Sequence, residues 1–278
     1  MPSPQTLHRL PLSAYTSEDW FEREQADIFS KTWAYAGFAE DVSEPGVPLI
    51  VQAGLNSLFV VRGTDGGLRA FHNICRHRGT QLLRTTGKSE QVITCPYHDW
   101  TYDLEGALIA VPDEEREFPG GVDKSCLGLK PAAVGIWRGM VFVHPEPVTA
   151  PSLDQWFGPM ERKLGPHDVE ALPEFKDGHT SYEIRANWKV VVENFMDVYH
   201  LSHLHSGTLT MYDHARAKFG FVGPHFAFRE PLSRDYAEDL ERNTPYPLII
   251  DKADAAAWVP MLFPGIGLVE SESAWTTF

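Results

Sequence analysis

Nine residues, Asp197-Val198-Tyr199-His200-Leu201-Ser202-His203-Leu204-His205, hold one carboxylate and three imidazoles. A buried polar side chain must find a partner or cost stability, so ordinary core helices do not gather so many metal-binding groups in one short span. The stretch reads as one wall of an iron site. Upstream, Asn187 can cap a helix, and Val190, Asn194, Asp197 and Leu201 recur at intervals of three and four, which predicts a helix with Asp197 and His200 on one face. His205 lies about 140° further round a regular helix than His200. Both imidazoles reach one ion only if the helix bends or ends after Leu201, and Ser202 and Ser206-Gly207 supply signals for such an ending. On spacing alone, His203 is an equally good second ligand.

A second constellation lies earlier. Cys75-Arg76-His77 is followed, after 17 residues, by Cys95-Pro96-Tyr97-His98. Two short loops, each offering a sulfur and an imidazole, can clamp a metal centre between hairpin tips. Two centres fit this ligand set. One is a structural zinc held by both cysteines and both histidines. The other is a Rieske cluster, with the cysteines on one iron and the histidines on the other.

The elements around these residues differ between the two halves. From Trp33 to about His144 short apolar runs alternate with Gly, Pro and Asp. Leu58-Val61, Leu68-Phe71, Gln91-Thr94 and Met140-Val143 are strand candidates, separated by turns such as Gly63-Gly67 and Asp103-Gly106, so this part is expected to be a compact all-β unit. Pro145-Pro151 is a proline-rich hinge. Ser152-Leu164 has helical texture, His179-Arg185 is a strand candidate leading into the metal helix, and Phe219-Glu230 is expected to hold strands. At the N-terminus Thr16 is expected to cap a helix, with Asp19 answering it and Tyr15 stapling against Trp20. That helix is expected to bury Phe21, Ile28 and Phe29 and to end near Lys31.

The bulk properties narrow the class. A 278-residue chain with 43% hydrophobic and 22% charged residues has the makeup of a soluble globular protein. A formal charge of −14 without basic runs argues against nucleic-acid binding. No secretory signal or transmembrane stretch is read, and a cytoplasmic location is expected. The three cysteines, Cys75, Cys95 and Cys126, favour reduced thiols or metal ligands over a disulfide framework. No nucleotide-binding fingerprint is present.

Cys75-Arg76-His77-Arg78-Gly79 together with Cys95-Pro96-Tyr97-His98-Asp99-Trp100 resembles the Rieske signature of the ring-hydroxylating oxygenase α subunits. Asn187-Trp188-Lys189, followed by Asp197, His200 and His205, resembles their catalytic-iron motif, in the family's order and at about its separation. The resemblance extends from about residue 15 to about residue 270. It implies an α+β chain: a helical segment (1–32) packing on the catalytic domain, an all-β Rieske domain (33–148) and a helix-grip, START-like catalytic domain (149–278). It further implies that Cys75 and Cys95 hold one iron of a 2Fe-2S cluster and His77 and His98 the other, while His200 and His205, rather than His203, bind a mononuclear ferrous ion. Asp197 is then a bridge that hydrogen-bonds an iron-ligand histidine and a cluster histidine of a neighbouring subunit, which implies a ring-shaped oligomer, commonly a trimer, or an assembly with a β subunit.

The implied activity is that of a terminal oxygenase, hydroxylating an aromatic ring, as in aromatic hydrocarbon catabolism, with dioxygen and electrons from a separate reductase or ferredoxin. NADH would serve only through that reductase. The alternatives are N- or O-demethylation, attack on a quaternary ammonium compound, and an electron-transfer protein using the cluster alone. The family's third iron ligand is usually an Asp well over a hundred residues beyond the second His, whereas 73 residues follow His205 here. The catalytic domain is therefore expected to be truncated at its C-terminus. Met261-Val269 is read as the beginning of a central strand, with Phe263-Pro264-Gly265 where the family more often has Phe-Pro-Asn. Asp213, Asp251, Asp254, Glu270 and Glu272 are stand-in ligands.

Overall fold

The structure, a computed structural model, describes residues 10–86, 91–172, 180–244 and 246–278. Two compact units emerge: Glu22–Leu153, and residues up to Phe21 together with Asp154–Phe278. The N-terminal helix is divided into α1 (Ser13–Thr16) and α2 (Glu18–Asp27), with a 3-10 turn at Phe29–Lys31. Thr16 turns its hydroxyl back to the Leu12 carbonyl instead of capping forward, and the extended Ser17 separates the helices. Within α2, Phe21 is exposed and Glu24 is buried, the reverse of the expected apolar face.

In Glu22–Leu153, β1 (Ala34–Phe38), β2 (Leu49–Ala53), β3 (Asn56–Arg62) and β4 (Leu68–His72) come first. The short strands β5 (Ile93–Thr94), β6 (Thr101–Tyr102) and β7 (Leu108–Ala110) follow, then helix α3 (Glu114–Glu117), β8 (Pro131–Trp137) and β9 (Met140–His144). A six-stranded sheet runs β1-β9-β8-β4-β3-β2 and a three-stranded one β5-β6-β7. Strand β3 explains why its sequence is a continuous apolar run. Leu58 and Val60 pack with Ala70, Val141 and Val143, while Phe59 and Val61, on the other face, pack with Phe71, Ile93, Trp100 and Tyr102. This second cluster also contains Cys75 and Cys95, so the strand's alternation builds the floor under both loops.

In the other unit, α4 (Leu153–Phe157) runs into a 3-10 segment, as the helical texture there predicts. His179 lies outside the described residues, and 180–185 form no strand. Helices α5 (Trp188–Met196) and α6 (Leu201–Leu204) precede strands β10 (Lys218–Val222) and β11 (His225–Pro231), helix α7 (Arg234–Arg242), and strands β12 (Ala256–Leu262), β13 (Ile266–Glu270) and β14 (Trp275–Thr277). The five strands form an antiparallel sheet in sequence order. Met261-Val269 is thus a hairpin and not one strand: Leu262 pairs with Ile266 across Phe263-Pro264-Gly265, where proline cannot donate to a ladder. One face of the sheet, with Phe226, Phe228, Val259 and Met261, packs under Val192, Phe195 and Met196 of α5. Burying this face sets where α5, and the motif after it, must lie. Among the described residues no helix is long and apolar enough to cross a membrane.

Candidate metal centres

The Cys75 and Cys95 loops share one backbone plan. The Gly79 N–H donates to the Cys75 carbonyl and the Asp99 N–H to the Cys95 carbonyl, each at 3.0 Å; the Cys75 N–H donates to Thr80 at 2.8 Å and the Cys95 N–H to Trp100 at 2.9 Å. The residue four past each cysteine is left-handed, with φ of 72° at Gly79 and 55° at Asp99. Gly adopts this freely, and Asp is among the few other residues that tolerate it. The C-x-H and C-x-x-H tips are therefore matched turns, one after β4 and one closing the β5–β6 hairpin.

Their side chains converge. Both thiols are free and buried, and the rings of His77 and His98 meet edge to face at 4.6 Å between centroids. His77 stacks on Trp100 at 4.7 Å and 7°. Backbone N–H groups of Tyr97 and His98 point at the Cys95 sulfur, whose thiol is pushed up by burial first and by the neighbouring Cys75 sulfur among lesser causes. Burial lowers the His77 imidazole, helped by His98 and Arg78. The motif does not reveal Tyr102. Its buried hydroxyl lies 3.3 Å from Cys75 Sγ and accepts the Arg76 N–H at 3.0 Å. The only signal in the sequence was its place two residues beyond Trp100 in an inward-facing strand.

At the second site Asn187 caps α5 as expected, its side chain accepting the Lys189 N–H at 3.1 Å. The helix then stops earlier than the spacing predicts. It ends at Met196, and Asp197 leaves it in an extended conformation. Asp197 Oδ1 accepts the Tyr199 N–H at 2.9 Å, a local turn that competes with the helix, while Oδ2 lies 3.4 Å from His200 Nδ1. A separate short helix, α6, then starts after His200 and ends before His205. This break replaces the bend expected after Leu201, and it brings the rings of His200 and His205 to 5.2 Å between centroids. His203 turns instead to Tyr199, at 5.5 Å. Spacing left the two histidines equal; in the fold the ring of His205 meets that of His200 and the ring of His203 meets Tyr199.

Sequence reasoning also missed the surroundings of α5. The Tyr15 hydroxyl donates to Glu193 at 2.5 Å, and Lys189 Nζ lies 5.4 Å from the Tyr15 ring centre and 5.1 Å from that of Trp188. Beside the helix is a cavity of about 280 Å³, lined by residues including Trp188, Glu193, Phe221, Phe226 and Phe263.

Comparison with known proteins is decisive at this point. Residues 32–129 match the Rieske [2Fe-2S] domain, and residues 174–266 match the ring hydroxylating alpha subunit (catalytic domain). The chain belongs to the Rieske oxygenase α-subunit family. It is 31% identical over 245 residues to the glycine betaine monooxygenase oxygenase subunit of Chromohalobacter salexigens, covering 87% of this chain and 53% of that protein. It is 32% identical over 236 residues to the carnitine monooxygenase oxygenase subunit of Escherichia coli, covering 80% and 61%. The chain thus spans about half to three fifths of these relatives. Among solved structures, the quaternary ammonium Rieske monooxygenase CntA with a bound inhibitor superposes with a TM-score of 0.77 at 25% identity, over 96% of this chain and 70% of that one. Naphthalene 1,2-dioxygenase from Rhodococcus sp. bound to indole shares the fold, with a TM-score of 0.70 at 22% identity, over 93% and 65%.

The residues of the Rieske domain fit the cluster the family implies. His77 Nδ1 is buried with no hydrogen-bond partner among the described residues, and of the two adjacent free thiols Cys95 receives backbone N–H groups while Cys75 meets the Tyr102 hydroxyl. A buried nitrogen left unpaired is costly unless a ligand takes it. No group of three or more Cys, His, Asp or Glu side chains converges on a single ion position among the described residues. Two of the stand-in carboxylates expected for the mononuclear site already have partners. Glu270 is held by the Gly165 N–H and by Trp275 Nε1; Glu272 accepts from the Tyr236 and Tyr246 hydroxyls.

Proposed function

We propose that the chain is the oxygenase component of a multicomponent Rieske system, in which Cys75, Cys95, His77 and His98 hold the 2Fe-2S cluster and His200 and His205 hold a ferrous ion. When bound, the two centres supply one-electron storage and dioxygen activation. The observation that carries this reading is the matched pair of Cys-His loops together with the His200–His205 approach in one chain. The chain's own residues have definable tasks. The loop amides at Cys95 and the Tyr102 hydroxyl at Cys75 set hydrogen-bonding groups against the two sulfurs. Asp197 holds His200 from its Nδ1 side, fixing ring orientation and tautomer. We assign residues 33–148 to the cluster domain and 149–278 to the catalytic domain, with the N-terminal segment as far as Phe21 packing on the latter; the Tyr15–Glu193 bond supports that packing.

Electrons come from a separate reductase or ferredoxin, with NADH as the distant donor, since no nucleotide fingerprint occurs in the sequence. We place the protein in the cytoplasm as a homo-oligomer, a trimer being the family's common form, with Asp197 as the bridge to a neighbouring subunit's cluster histidine. For the substrate, we favour a quaternary ammonium compound over an aromatic ring. The names of the glycine betaine and carnitine relatives support this choice, as do the aromatic side chains of Trp188, Phe221, Phe226 and Phe263 in the cavity beside α5, whose lining also carries the opposite charges of Lys189 and Glu193. Aromatic faces and a carboxylate suit a cation that cannot donate hydrogen bonds. Iron and acid-labile sulfide counts with electron resonance of the reduced protein test the first part; material free of both would sink it. Supplying a reductase and measuring consumption of glycine betaine, carnitine and anthranilate tests the second, and turnover of anthranilate alone would reverse it.

A further inference from the structure

On the sheet face away from α5, Lys218 and Arg229 stand directly opposite each other across β10 and β11. Like charges so placed repel. Neither side chain forms an ion pair with a described residue, and Arg229 Nε is buried with no hydrogen-bond partner among them. The guanidinium carbon lies over the ring of Trp258, 4.5 Å from its centre, its partner across β11 and β12, and Trp258 Nε1 is likewise buried and unpaired among the described residues. The carboxylate of Glu270, beyond Trp258 in the register, is already taken by Gly165 and Trp275. Every hydrogen-bonding feature left open here is a donor, and both formal charges are positive.

We propose that Arg229 and Lys218, with Trp258 as a backing plate, form a carboxylate-binding site on the catalytic unit, separate from the histidine pair. The contact with the indole holds the guanidinium in place, and its unpaired N–H groups can grip a planar oxyanion in two parallel hydrogen bonds. Lys218, exposed at the edge strand, adds a second cation. The carboxylate is either that of a small free acid or an Asp or Glu side chain of a second copy, a chain with 38 acidic against 24 basic residues.

Calorimetric titration of the full chain with glutarate at low ionic strength tests the site, alongside sedimentation with and without glutarate. We expect saturable binding that weakens by roughly tenfold or more in Arg229→Gln, less in Arg229→Lys, and measurably in Lys218→Gln, whose exposed side chain carries no packing. Self-association abolished by glutarate and by Arg229→Gln identifies the second copy as the source; binding to a chain whose mass does not change identifies a free acid. Glutarate affinity unchanged in Arg229→Gln and Lys218→Gln, or neither binding nor Arg229-dependent association, overturns the proposal.

Discussion

The imidazole of His77 lies parallel to the indole of Trp100, with centroids 4.7 Å apart and planes 7° from parallel. A ring that offers a nitrogen to an iron must be held from its faces, and this contact does so. Trp100→Leu is expected to cost about 3 kcal/mol through the lost aromatic packing and to lower the cluster content of purified protein. Iron and sulfide per chain, with a chemical denaturation curve, check both parts.

Tyr102 holds the Cys75 sulfur at 3.3 Å and makes its second bond to the Arg76 N–H. Hydrogen bonds to cluster sulfurs stabilise the more negative, reduced state. Removing the hydroxyl in Tyr102→Phe is expected to lower the reduction potential, and a bond worth about 1 kcal/mol corresponds to about 40 mV for one electron. Redox titration followed by visible absorption or circular dichroism reads the shift.

His203 and His205 offer a direct contrast. Because His205 approaches His200 while His203 faces Tyr199, His205→Ala is expected to weaken cobalt(II) or ferrous binding by about tenfold or more and His203→Ala to leave it nearly unchanged. Equilibrium dialysis of cluster-loaded protein measures both, and Asp197→Ala is expected to fall between them.

His225 predicts an acid-sensitive fold. Its Nε2 donates to the Trp156 carbonyl at 2.8 Å and its Nδ1 accepts the Phe263 N–H at 3.0 Å, so the ring is neutral. Burial holds its pKa below the usual imidazole value, against the opposing pull of the Trp156 carbonyl. The unfolded chain then takes up the proton first. Stability is complete above a pH of about 6.5, declines as pH falls from there towards the folded value, and levels off below it, by about 1.4 kcal/mol per unit of difference. Melting curves between neutral and mildly acidic pH should show this slope, and His225→Phe should remove its share.

What could be read from the sequence was local. The four loop ligands lie in two tight turns, where short spacing brings each cysteine near its histidine, and the all-β texture around them comes from runs such as Leu58-Phe59-Val60-Val61 that are buried on both faces. The cap at Asn187 was legible for the same reason. The stop at Met196 was not, because apolar periodicity carries no sign of a carboxylate that competes for a backbone N–H. The exchange of Phe21 for Glu24 on the buried side of α2 depends on neighbours distant in sequence. The same is true of residues 180–185, which have strand-like composition but no partner strand, and of Tyr15, whose hydroxyl meets Glu193 from 178 positions away.

Asp197 divides its two oxygens between the amide of Tyr199 and the ring of His200. The carboxylate is half exposed and keeps lone pairs open for a third group. A group that draws on this carboxylate, whether a proton, a neighbouring subunit or a changed charge nearby, acts at once on the turn between α5 and α6 and on the imidazole of His200, and so on the gap between His200 and His205. The helix break thus makes this one side chain a mechanical gauge of the metal site's readiness.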